Sequence, residues 1–238
     1  MDAPTDMPGD AMAAGAGAPV FDGLLRSRWS CRGFKDTPLP RPTVKRLLEM
    51  AQRTPSWCNT QPWRVTLTSG EATCRLAAAL SEHQKSGAAD QPDLPFPAAY
   101  RGEYLARRRE CGYQLYGAVG IERGDRARSA AQGQENFRFF GAPHFALITT
   151  ERDLGTYGAI DCGGYVSVFL LAAQSLGLAA IPQAAVAAYS PWLRDYFGLP
   201  NNRLVVCGIS FGLADRAHPA NGFQTNRAPI SEVVDWRE

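Results

Sequence analysis

The chain is expected to form a single compact domain that mixes helices and strands, an α/β or α+β fold, and three observations lead there. Apolar residues recur at helical spacing in some stretches, as in Val44, Leu47, Leu48 and Ala51, and alternate with polar ones in others, as in Trp63, Val65 and Leu67. The length of 238 residues is long for one ordinary domain and short for two, with no internal repeat and no linker to divide it. Hydrophobic residues make up 45% of the chain, enough for a large buried core, and this composition excludes a disordered chain.

Taken in order, residues 1–18 are rich in Ala, Gly, Asp and Pro and read as a floppy tail; Asp2 and Asp6 stand where a secretory leader needs positive charge. Pro42 suits the first turn of a helix that runs to Thr54-Pro55, after which residues 63–68 alternate as a half-buried strand does. A second helix spans 71–85. Pro92, Pro95 and Pro97 make 90–97 a loop, because proline has no donor and fixes its own φ. Residues 100–140 form two charged helices broken near Arg123-Gly124-Asp125. From Pro143 the chain turns core-like. Residues 144–149 form a strand, and 160–176 a helix apolar on almost every face, capped at its C-terminus by Gly177. A short strand at 178–181 follows, then a helix opened by Ser190 as N-cap with Pro191, the strongest strand at 204–210, and a last strand at 230–236. No uninterrupted apolar run reaches the roughly 18 residues of a membrane span.

Composition also narrows the chemistry. With 25 basic and 23 acidic residues the net charge is +2, which gives no strong field for nucleic acid or membrane. Six cysteines without a CxxC pair, and only His83, His144 and His218, fit neither a disulfide framework nor a zinc site; a reducing, cytoplasmic setting and no metal are expected. Gly208-Ile209-Ser210-Phe211-Gly212 matches the GxSxG pattern of serine hydrolases, but Pro219 and Gly222 interrupt the helix that a nucleophile elbow must lead into. Asp215 and His218 also lie too near Ser210 in sequence to complete a triad. Neither GxGxxG nor GxxxxGK occurs, so a nicotinamide cofactor, if used, is not held by a dinucleotide fold.

Two loops stand out. Arg26, Arg28 and Arg32, with Ser27 and Ser30, set three guanidiniums and two hydroxyls in seven residues, either a solvated basic loop or a phosphate site. Ser56, Asn59 and Gln61 lie between Pro55 and Pro62-Trp63, either a structural turn or a set of amides that reads the edge of a planar heterocycle.

Together these loops resemble the nitroreductase family of FMN-dependent oxidoreductases. The resemblance rests on Arg-x-Ser-x-Arg-x-Phe at Arg28, Ser30, Arg32 and Phe34, then Pro-Ser-x-x-Asn-x-Gln-Pro-Trp from Pro55 to Trp63. Gly177-Leu178-Ala179-Ala180-Ile181-Pro182 and the late Arg227 agree with it, and it covers residues 20–236. Residues 104–109 and 137–143 are most similar to a branch of nitroaromatic reductases. The resemblance implies an α+β fold with helices around a mixed four- or five-stranded sheet. It also implies an intertwined homodimer with FMN at the interface, and a domain over 19–238 in which 90–140 is a variable helical insertion near the substrate pocket. By position, Arg28 and Arg32 would grip the FMN phosphate or ribityl chain with Trp29 and Ser30, and Arg227 would complete the clamp. Ser56, Asn59 and Gln61 would contact the flavin from the partner subunit, and Gln183 and Ala184 would offer backbone groups near its N5. Ala184-Ala185 departs from the acidic residue and glycine of many relatives, and Thr225 from a second basic residue. The implied activity is NAD(P)H-dependent reduction of nitroaromatics to hydroxylamines, with NADH or NADPH as donor. A flavin, quinone or halophenol reductase of the same fold is the alternative, and a hydrolase built on Ser210 the other.

Overall fold

The computed structural model describes residues 15–238, so most of the tail expected over 1–18 lies outside the described residues. Among the described residues seven α-helices surround one sheet: α1 Ala18–Ser27, α2 Arg41–Ala51, α3 Glu71–Lys85, α4 Gly102–Ala118, α5 Arg126–Gln134, α6 Gly155–Ser175 and α7 Ser190–Phe197. The strands are β1 Arg64–Ser69, β2 His144–Glu151, β3 Ala179–Gln183 and β4 Arg203–Gly212, in the order β1-β2-β4-β3. The fold is α+β with four strands, as expected. Its ladders are all antiparallel where a mixed sheet was implied; among the described residues the one parallel pairing is the isolated bridge between Ser30 and Ala180.

Strands β2 and β4, central in the sheet, are buried on both faces, which explains the apolar run Phe145–Ile148 of β2. Phe145 and Leu147 point toward Leu76 and Leu80 of α3, Leu193 of α7 and Phe139. Ala146 and Ile148 point the other way, toward Leu47 of α2 and Tyr165 and Phe169 of α6. Gly208 in β4 faces the Phe145 ring so closely that a Cβ there would lie 2.3 Å from it. Only glycine leaves room for the Phe145 ring at this position.

The structure departs from several expectations. Helix α1 went unread although Val20, Phe21, Leu24 and Leu25 stand at helical spacing, and it buries none of them within its own chain. Trp63 is buried but precedes β1, and Leu67 is 37% exposed on that edge strand. Helix α6 begins ahead of residue 160 and hides only one face within its own chain, through Cys162, Tyr165, Phe169, Ala172 and Ala173; Tyr157 and Ile160 remain more than half exposed. With its preceding turn, Arg152–Ser175 is long and apolar enough to cross a membrane by length and composition, yet it packs against α2 and the sheet as a core helix. Ser190 is the first helical residue of α7 and not its cap, because its hydroxyl donates to the Ala187 carbonyl. The strand expected at 230–236 is a turn, Ile230–Glu232, followed by irregular chain, since no neighbouring strand within the molecule pairs with it.

Candidate functional site

Helix α1 ends where Arg28 turns extended, at φ −70° and ψ 133°. From there the chain runs beside β3, with Ser30 bridged to Ala180 and the Cys31 N–H donating to the Ala180 carbonyl at 3.3 Å, and Phe34 bridges to Ala214. This path carries Arg28, Trp29, Ser30 and Arg32 along one side of a cleft of about 650 Å³, closed opposite by Phe223, Thr225 and Arg227 and flanked by Cys111. Arg26 lines the same cleft but is paired with Asp22 at 2.6 Å. Among the described residues, Arg28, Arg32 and Arg227 meet no carboxylate in an ion pair. Burial, and then the like charge of Arg227, pull the Arg28 guanidinium below its usual range, and burial does the same to Arg32. Guanidiniums that are partly desolvated and repelling one another are relieved by an anion between them.

The second loop is bent by three non-glycine residues in the left-handed region, Cys58, Asn59 and Gln61, with φ of 49°, 55° and 47°. Such backbone persists only where the surroundings hold it. Here the Ser56 hydroxyl accepts the Gln61 N–H at 2.9 Å, Asp161 of α6 accepts the Trp57 N–H at 3.1 Å, and Gln52 donates to the Gln61 side-chain oxygen at 2.8 Å. Asn59 and Gln61 line a separate cleft beside α2, of about 700 Å³, which shares no residue with the arginine cleft. The chain therefore does not bring its two motifs together by itself.

Gln183 ends β3 with its side chain buried, donating to the Asn136 carbonyl at 2.8 Å, while Ala184 beside it is exposed. Ser210 donates its hydroxyl to Gln183. It lies inside β4, paired with Phe145 and Ile181, and no histidine reaches it, so the hydrolase alternative fails on geometry. Burial pushes the thiols of Cys31 and Cys162 up to about 11 and that of Cys207 to about 12, which leaves them inert core groups.

Three supporting residues escaped the sequence reading: Asn136, Asp161 and Asn221. Asn221 sits in Pro219-Ala220-Asn221-Gly222, which signals a turn and nothing of its long-range partners.

The family model described as the nitroreductase family matches residues 25–213. The chain belongs to the nitroreductase family. Arg28, Ser30, Arg32, Ser56, Asn59, Gln61 and Gln183 lie inside that match, and Arg227 lies beyond it. Nitroreductase NfnB of Mycolicibacterium smegmatis is 34% identical over 220 residues, covering 91% of this chain and 92% of that one. The 4-nitrobenzoate reductase of a Nocardioides species is 32% identical over 221 residues, covering 91% and 90%. The crystal structure of the FMN-dependent NfnB from Mycobacterium smegmatis in complex with NADPH superimposes with a TM-score of 0.88 at 33% identity, over 93% of this chain and 99% of that chain.

Proposed function

We propose that this chain is an FMN-dependent NAD(P)H nitroreductase that reduces nitroaromatic compounds in two-electron steps to hydroxylamines. The observation that carries the proposal is the cleft holding Arg28, Arg32 and Arg227 without a carboxylate, in a chain whose relatives are a 4-nitrobenzoate reductase and an FMN-dependent nitroreductase. The residues fit the group: a phosphate needs guanidinium partners and a flavin needs a flat apolar wall, and Trp29 and Phe223 stand beside the arginines. When bound, FMN supplies the two-electron chemistry between NAD(P)H and the nitro group.

The protein's own part is binding and electrostatics. Arg28 and Arg227 hold the phosphate, Ser30 adds a hydroxyl, and Arg32 sets a fixed positive charge where negative charge develops on reduction. Gln183, locked by Ser210 and Asn136, fixes the backbone that leads into exposed Ala184 at the ring edge. Ser56, Asn59 and Gln61 reach the flavin of a second subunit, which accounts for two clefts that one chain keeps apart. The open apolar face of α6, with Tyr157 and Ile160, supports such a homodimer. Residues 90–140 shape the pocket for a planar aromatic substrate, donor and acceptor occupy it in turn, and the enzyme works in the cytoplasm.

The test is direct. Purified protein should be yellow, release FMN on denaturation, and oxidise NADPH or NADH when 4-nitrobenzoate or nitrobenzene is added. Protein that takes up no flavin and oxidises neither nicotinamide with any nitroaromatic would reject the proposal.

A further inference from the structure

The turn Pro219–Asn221 is distant in sequence from the arginine loop, yet its last residue is bonded into it. Asn221 Oδ1 accepts the Arg32 backbone N–H at 2.7 Å, and Nδ2 donates to the Gly33 carbonyl at 2.8 Å and to the Asp215 carbonyl at 2.7 Å. The Asp215 N–H reaches the same Gly33 carbonyl at 3.0 Å. His218 closes the other side, since a Cβ on Gly33 would lie 2.3 Å from the imidazole Cγ. Position 33 thus has no room for a side chain.

An amide carries an acceptor and donors in one plane, and these match the N–H of residue 32 and the C=O of residue 33 in an extended chain. A serine or threonine hydroxyl has one hydrogen on the same atom that accepts, and so cannot donate to two carbonyls as Asn221 does. The Arg32 head group is held in turn, with Nη1 donating to the Ser30 carbonyl at 3.2 Å and its guanidinium carbon 5.6 Å from the centre of the Phe223 ring. With no carboxylate among the described residues to fix it, Arg32 is aimed by its backbone. That backbone is held by the segment 215–223, which continues to Arg227 in the same cleft.

We infer that Asn221 is a positioning residue for Arg32, setting the guanidinium at the flavin site through the backbone of residues 32 and 33. The inference rests on the proposed role of Arg32 as a cation of that site, and it extends that role to a residue that does not line the cleft.

A double-mutant cycle tests it. FMN affinity and the reduction potential of the bound flavin are measured for the wild type, Asn221→Ala, Arg32→Ala and the double variant. Asn221→Ala should weaken FMN by about 10-fold and make the potential more negative, while the same change in the Arg32→Ala background should cost less than about twofold. Equal losses in both backgrounds, or a single variant with wild-type affinity and potential, would overturn the inference alone. Arg32→Ala without effect on either quantity would overturn the role of Arg32 and the inference with it. Should Asn221→Ala not fold, Asn221→Ser replaces it in the cycle, because its shorter side chain keeps a hydroxyl but cannot serve the Arg32 N–H and the Gly33 and Asp215 carbonyls together. The same non-additivity with Arg32→Ala is expected, and additivity contradicts the inference.

Discussion

Ser210 donates its hydroxyl hydrogen to the side-chain oxygen of Gln183 across the β3–β4 ladder, and both side chains are sealed from solvent. Gln183 passes the connection on to Asn136, so a serine in a hydrolase-like motif serves to fix the end of β3.

Replacing that serine removes one hydroxyl and leaves Gln183 Oε1 buried without a donor. Ser210→Ala should therefore lower stability by about 1–2 kcal/mol. Nitroaromatic reduction should stay near normal, and no esterase activity should be found in either protein. Esterase activity that vanishes in the variant would contradict the geometry, because a triad loses orders of magnitude in rate with its serine.

His144 supplies a pH dependence. Its Nε2 accepts the Leu39 N–H at 2.7 Å, its Nδ1 is buried without a partner, and its ring stacks on Phe211 at 5.0 Å. Burial lowers its pKa, so the folded state resists the proton that the unfolded state accepts at about 6.5. Above that pH this contribution to stability is complete; it is lost as the pH falls through the lowered folded value. His144→Gln keeps an acceptor for Leu39 but cannot titrate, so its denaturation midpoint should fall less steeply below about pH 6.5 than the wild type's. Parallel curves for the two proteins would refute this.

The open face of α6 makes a prediction about assembly. Ile160 is 58% exposed and Tyr157 56%, with exposed Gly163 and Gly164 on the same helix, and the C-terminal Trp236 is 75% exposed. Surfaces of this kind are covered in an obligate dimer, which buries well over about 2,000 Å². Sedimentation should find a dimer for the wild type and a monomer without flavin for Ile160→Glu. A wild-type monomer that is loaded with flavin and active would end the dimer proposal.

What was legible in the sequence was local. Helices α2 and α3 follow from the spacing of Val44, Leu47, Leu76 and Leu80, which face the core within one element. Arg28, Ser30 and Arg32 were found because their chemistry is concentrated in five residues, and the cleft keeps them together. Asn221 was invisible because it acts on Arg32 across 189 positions of sequence. The strand expected at 230–236 failed for the opposite reason: Ile230, Val233 and Val234 have strand-forming side chains, but a strand also needs a neighbour, and this chain provides none there. The separation of Asn59 and Gln61 from the arginines within one chain was implied by the family resemblance, which assigns them to the partner subunit, and by nothing in the spacing of the motifs.

The central claim is that Arg28 and Arg227 hold a flavin by its phosphate, and FMN and riboflavin differ by that phosphate alone. The deciding measurement is the affinity of the apoprotein for each, in the wild type and in Arg28→Ala and Arg227→Ala. Breaking a partly desolvated charge pair costs several kcal/mol, so the wild type should prefer FMN by about 100-fold or more, and each substitution should abolish most of that preference. Equal affinity of the wild type for FMN and riboflavin, or an undiminished preference in both variants, would contradict it.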